Sequence, residues 1–118
     1  MPRQADLDVR FRLRVRQGQT IAIGPGKIDL LQAVKACGSI SAAARSLNMS
    51  YRRAWMLLDE LNASLSSPAT VSEQGGSKGG GSVLTPVGEE LIDVYRAIER
   101  QASQACATNI ERLTSLLK

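Results

Sequence analysis

The chain has 118 residues, enough for one domain with a modest core and too few for two. Aromatic residues make up only 3% of it against 43% hydrophobic residues, so a core has to be built from Leu, Ile, Val and Ala. The net charge of +4 hides a division: residues 1–53 hold ten Lys and Arg against three acids, and residues 54–118 hold five against eight. One half is therefore suited to a polyanionic surface and the other is not. The chain has no histidine, which removes the commonest general acid–base, any Ser–His or Cys–His nucleophile and the commonest metal ligand. The acidic neighbours Asp59 and Glu60 point to different helix faces. The expectation is a protein that is not an enzyme, with no catalytic residues, no metal and no cofactor. Cys37 and Cys106 form no metal-binding spacing and fit a reducing compartment as small buried hydrophobes. The amino terminus has no apolar core of a signal peptide, and no apolar run approaches the roughly 18 residues of a membrane span, so a cytoplasmic location away from membranes is expected.

Along the chain, Val9, Phe11, Leu13 and Val15 alternate with Arg10, Arg12, Arg14 and Arg16. A period of two predicts a half-buried strand with arginines on its wet face, and residues 20–23 can return as a second strand, giving a strand or hairpin over 9–23. Gly24-Pro25-Gly26 ends it. Ile28, Leu31 and Val34 predict a helix over 28–37, stopped by Gly38. A second helix over 40–47 opens at Ser39 or Ser41, and Asn48-Met49 makes a short turn. Ser50 caps a third helix over 51–65, with Ala54, Leu58, Leu61 and Leu65 on its buried face and Pro68 beyond its end. Two short strands around a glycine-rich tip form a wing over 69–85. Thr85, with Pro86 in the first helical position, opens a long helix over 86–117. Its stripe of Val87, Leu91, Tyr95, Ile98, Ala102 and Ala105 suits packing along a partner helix. The fold class expected is mainly α with a small β component: a single winged helix-turn-helix domain over 1–118, with an amino-terminal strand or hairpin and a long carboxy-terminal dimerisation helix.

The alanine-rich second helix and the basic third one, joined by a very short turn, form the helix-turn-helix. Ala43 and Ala44 let the two helices cross closely. Arg52, Met56 and Arg53 fall on or near the face opposite the buried one, towards the start of the third helix, where residues reach base edges in a major groove. Arginine there can bond guanine bidentately and neutralise phosphate. An isolated arginine pair would read as solvated surface charge; inside a helix-turn-helix the balance reverses. Lys78 at the wing tip can neutralise a phosphate, as can Arg45 and the arginine face of residues 10–16. The wing tip is not a nucleotide-binding P-loop, because Lys78 is followed by Gly79 and then a strand rather than by Ser or Thr and a helix. A plain flexible linker is the other bland reading of that glycine-rich tip. Trp55 reads as a packing anchor, since duplex DNA offers no exposed base face.

Gly38-Ser39-Ile40-Ser41, Ser50-Tyr51-Arg52 with Ala54-Trp55, Glu60 with Asn62, the glycine–lysine–glycine tip and Leu84-Thr85 with Gly88 together resemble the amino-terminal DNA-binding domain of the ModE-type molybdate-responsive transcriptional regulators. The likeness is strong over residues 38–95 and looser before them, and extends more distantly to the LysR-type winged helix. The resemblance implies a homodimer formed through the amino-terminal strand and the last helix. It puts Ser50, Tyr51, Arg52 and Arg53 in the DNA-reading segment and Lys78 in the wing. In that family a separate carboxy-terminal region binds the oxyanion, and no part of this sequence resembles it, so molybdate is not expected to bind this chain alone. The expected function is sequence-specific binding of a pseudo-palindromic duplex by a homodimeric transcriptional regulator, through Ser39, Ser41, Arg45, Ser50, Tyr51, Arg52, Arg53, Met56 and Lys78. The alternative is a protein-interaction module that keeps the winged-helix fold, dimerises with another regulator and no longer reads DNA.

Overall fold

A computed structural model describes residues 6–73 and 81–118. The first structured unit is an antiparallel hairpin of β1 (Val15–Gln17) and β2 (Thr20–Ile23), turned by Gly18 at φ +62°, a conformation that favours glycine. Its ladder pairs Val15 with Ile23, Arg16 with Ile21 and Gln17 with Thr20, with an irregularity after Val15. The strand expected from Val9 onward is corrected here: residues 9–14 join no ladder. β2 ends at Ile23, already opposite Val15, and Gly24-Pro25 turns the chain into a helix, so nothing remains to pair with the earlier residues. Val9, Leu13 and Val15 are exposed, and only Phe11 of the alternating set is half-buried.

Helix α1 (Pro25–Cys37) begins three residues before the expected 28, because Pro25 sits at the first helical position, where its missing N–H costs nothing. It ends at Gly38, left-handed at φ +79°, whose N–H donates to the Val34 carbonyl at 2.8 Å. Ser39, rather than Ser41, caps α2 (Ile40–Ser46), its Oγ accepting from the Ala42 N–H at 3.1 Å. Asn48 at φ +56° makes the turn, the Met49 N–H donating back to the Ala44 carbonyl at 2.9 Å. Ser50 then caps α3 (Tyr51–Ser64) by accepting from the Arg53 N–H at 3.1 Å. The core is aliphatic but for Tyr95: Ile28, Leu30, Leu31 and Val34 of α1 pack with Ala43, Ala44, Ala54, Leu58 and Leu61. The alanines at the α2–α3 crossing are buried, and their small side chains let the two backbones approach.

Strands β3 (Thr70–Glu73) and β4 (Gly81–Leu84) form the second hairpin, in register from Thr70 opposite Leu84 to Glu73 opposite Gly81. Residues 74–80, including Lys78, lie outside the described residues. The Thr85 hydroxyl accepts from the Gly88 N–H at 3.2 Å, opening α4 (Pro86–Ala105), and donates to the Pro68 carbonyl at 2.6 Å, closing the base of the wing.

Two expectations about the last helix are corrected. It does not run unbroken over 86–117: Cys106, at φ −100° and ψ 4°, leaves helical geometry, and a separate α5 (Ala107–Thr114) follows. Tyr95 does not belong to an outward stripe. It is 3% exposed, lies with Gly88 and Ile92 on the inner face of α4, and its hydroxyl donates to the Leu13 carbonyl at 2.8 Å. Burial raises its phenol above the ordinary range, so it remains a donor through neutral pH. This bond pins the amino-terminal segment across α4. Arg96 ties α4 to α1 by bonding Gln32 and Asp29, the latter at 2.8 Å, while also pairing with Glu99 at 2.9 Å. The cysteines are not the buried hydrophobes expected either. Cys37 is exposed in the last turn of α1, and Cys106 is half-buried at the α4–α5 break.

Candidate nucleic-acid interface

Helix α3 turns Ala54, Leu58 and Leu61 into the core, so the 3.6-residue period sends Arg52, Arg53 and Met56 outward. All three are exposed, with Tyr51 beside them in the first turn. No acidic residue lies in that turn, and the positive end of the helix dipole adds to the arginines there. Ser41 and Arg45 are exposed on α2, and neither Arg45, Arg52 nor Arg53 forms an ion pair among the described residues. Ser39 is half-buried and Ser50 exposed, the hydroxyl of each engaged as a helix cap. The start of α3 thus leaves Ser50, Tyr51, Arg52, Arg53 and Met56 all exposed, with Arg52 and Met56 opposite the buried face and Arg53 on the flank towards β2. Trp55, expected as a packing anchor, is 50% exposed and lines the cleft between α3 and the wing, with Asp59, Thr70 and Val71.

Both flanks of α3 are braced by residues that the sequence pattern alone does not single out. On the wing side, the Asn62 amide oxygen accepts from the Ala69 N–H at 2.8 Å, and its nitrogen donates to the Thr70 hydroxyl at 3.1 Å. Asn62 therefore fixes the angle at which the wing leaves the helix. Asn62→Ala is expected to remove both bonds, lower stability by about 1–2 kcal/mol and loosen the wing; thermal unfolding reads the first effect and amide exchange over 69–72 the second. On the opposite side, the buried Lys27 donates to the Ile21 carbonyl at 2.5 Å and lies 3.4 Å from Glu60 of α3. That lysine joins β2, α1 and α3. The signal for Asn62 was its place in the family motif; Lys27 carried none, since a lysine in a first helical turn ordinarily points to water.

Residues 26–89 match the family described as bacterial regulatory helix-turn-helix protein, lysR family. The chain is 47% identical over 77 residues to the molybdenum-pterin-binding protein MopB of Rhodobacter capsulatus, a match covering 65% of this chain and 28% of that one. It is 34% identical over 93 residues to the transcriptional regulator ModE of Haemophilus influenzae, covering 79% of this chain and 36% of the relative. It is 35% identical over 89 residues to the DNA-binding transcriptional dual regulator ModE of Escherichia coli K12, covering 75% and 34%. The chain spans about a third of the length of these curated relatives. Among solved structures, VV2_1132, a LysR family transcriptional regulator, shares the fold with a TM-score of 0.54 at 15% identity, over 79% of this chain and 29% of that one. With the matched segment covering more than half of the residues and containing all of α1 but its first residue, both members of the helix-turn-helix and the wing strands, the chain belongs to the lysR family of bacterial regulatory helix-turn-helix proteins.

Proposed function

We propose that the chain is a transcriptional regulator of the ModE type that reads duplex DNA in the cytoplasm as a homodimer, with one α3 in each of two major grooves. The observation that carries the reading is the exposed start of α3, where Arg52 and Arg53 stand without carboxylate partners among the described residues beside Tyr51 and Met56. Ser41 and Arg45 of α2, with Lys78 of the wing, complete the proposed contact set; Ser39 and Ser50 belong to it through the caps that aim the two helices.

Dimerisation is supported by apolar surface that the protomer leaves uncovered. Val94 and Ile98 on α4 are 50% and 41% exposed, and they share a face with Val87, Ala102 and Ala105, while Leu91 at its edge packs against the core. Val94 takes the place in the stripe that the sequence reading gave to Tyr95. The radius of gyration is 17.2 Å, against about 13.5 Å for a compact chain of this length. A symmetric pair would make the preferred operator palindromic, with half-sites about one helical turn apart.

Selection from random duplex DNA tests the reading. The wild type is expected to enrich a palindrome, and Arg52→Ala with Arg53→Ala to enrich none, since a lost bidentate base contact costs about 1–3 kcal/mol of discrimination and a lost phosphate contact weakens binding to every sequence. Failure of the wild type to enrich any sequence would overturn it in favour of an interaction module.

A further inference from the structure

The side of α3 away from the wing carries a second cationic surface. Arg12, Arg14 and Arg53 line one cleft of about 500 Å³, together with Gly24, Gly26 and Lys27 at the start of α1. The stem of Arg14 lies over the bare backbone of Gly24, its Cγ 3.5 Å from where a Cβ on that glycine would stand. The cleft also contains a carboxylate, Glu60, but this is the partner of buried Lys27 at 3.4 Å, and the two charges offset each other. Arg12, Arg14 and Arg53 make no ion pair among the described residues, which leaves three cationic side chains on a cleft that reaches the first turn of α3; Arg12 also borders a second cleft, which contains Asp29 and Glu99. The neighbouring Arg10 differs, being paired with Asp8 at 2.8 Å and absent from the cleft.

A helix lying in a major groove has a phosphate backbone on each side. In this fold the wing stands on the Asn62 flank of α3, while Arg53 and Leu57 face β2 on the other flank. Arg52 and Arg53, consecutive in a helix, point about 100° apart, so they cannot address the same part of the duplex. We propose that the β1–β2 hairpin and the segment before it act as a second wing, in which Arg12, Arg14 and Arg53 bind phosphates of the strand opposite the one beside the glycine-rich wing. Arg52 is left to read bases, and Arg53 positions. The proposal rests on the DNA-binding reading above and adds a sequence-independent contact to it. It also gives the alternating segment a role on its basic face that the uncovered apolar face does not supply.

The test is the salt dependence of binding, because each phosphate neutralised contributes about 0.9 to the slope of log K against log salt. The full chain is titrated by fluorescence anisotropy onto its selected duplex and onto a scrambled one, from about 50 to about 200 mM salt. Arg12→Gln with Arg14→Gln, which removes two contacts from each of the two protomers, is expected to weaken binding to both duplexes alike and make both slopes shallower by about 3.6. The ratio of the two affinities and the dimer mass by light scattering stay at wild-type values. Arg10→Gln keeps the wild-type slope, and the double lysine variant at 12 and 14 recovers it. A glutamine variant with an unchanged slope overturns the second wing while leaving the DNA reading standing, as does one that loses affinity only by becoming monomeric. A wild type that binds neither duplex overturns both.

Discussion

Val94→Asp combined with Ile98→Asp is expected to give a folded monomer that binds a two-half-site operator about a hundredfold or more weakly than the wild type. The two side chains stand one helical turn apart on α4 and point away from Ile92 and Tyr95, which pack into the core. Their loss should therefore change the stability of the protomer by no more than about 1 kcal/mol, about 0.5 for each surface substitution. In a symmetric pair the same face meets its own copy, so the substitutions place four carboxylates in one interface. Each lost apolar side chain also forfeits about 1.5–3 kcal/mol of burial. Once the pair is broken, the second half-site no longer gains from being tethered, a gain of about a hundredfold to ten-thousandfold. Sedimentation equilibrium and gel shifts on one and two half-sites separate the effects. Single-site affinity should survive and the two-site advantage should vanish. A variant that stays dimeric would place the interface elsewhere, and the exposed Leu113, Leu116 and Leu117 at and beyond the end of α5 would be the next surface to disrupt.

The elements most legible in the sequence are those whose ends are set locally. Ser50 and Thr85 accept from N–H groups three residues ahead, and Gly38 supplies a left-handed stop; each needs only its own neighbours. The alternating residues 9–15 show the opposite case. Period two says that one face wants burial, but not by what, and within the chain β2 is too short to cover it. The last helix carries two adjacent apolar rows, one through Ile92 and Tyr95, with Leu91 packed against it, and one through Val94 and Ile98. Spacing of three and four fits either row, so only the packed structure decides that Tyr95 belongs inside and Val94 outside. The break at Cys106 has no glycine or proline to mark it, and the pattern runs straight through. At the site, the outward placement of Arg52, Arg53 and Met56 follows from the helix period alone. The braces Asn62 and Lys27 depend on where a wing and a hairpin dock, and no local pattern encodes that.

Gly88→Ala is expected to lower stability by about 2 kcal/mol and the melting temperature by roughly 10 °C, although alanine is the better helix former. Gly88 is buried in the first turn of α4, and a Cβ built on it would stand 2.2 Å from the carbonyl oxygen of Ala69 and 3.1 Å from Leu84 Cγ. The oxygen is backbone and already accepts from the Thr85 N–H at 2.9 Å, so it cannot step aside without opening the base of the wing. Alanine there must push α4 away from β3, straining the Thr85 bonds to Pro68 and Gly88 that hold the corner together. Gly26, in the first turn of α1, is the control, because a Cβ there meets nothing within 4 Å. Gly26→Ala should be neutral or stabilise by up to about 1 kcal/mol through reduced freedom of the unfolded chain. Opposite signs for the same substitution in the first turns of two helices would show that contact with the wing, rather than backbone preference, requires glycine at 88. Parallel melting curves for the two variants decide it, and an unchanged melting temperature for Gly88→Ala would mean that α4 and the wing are not in the close contact described.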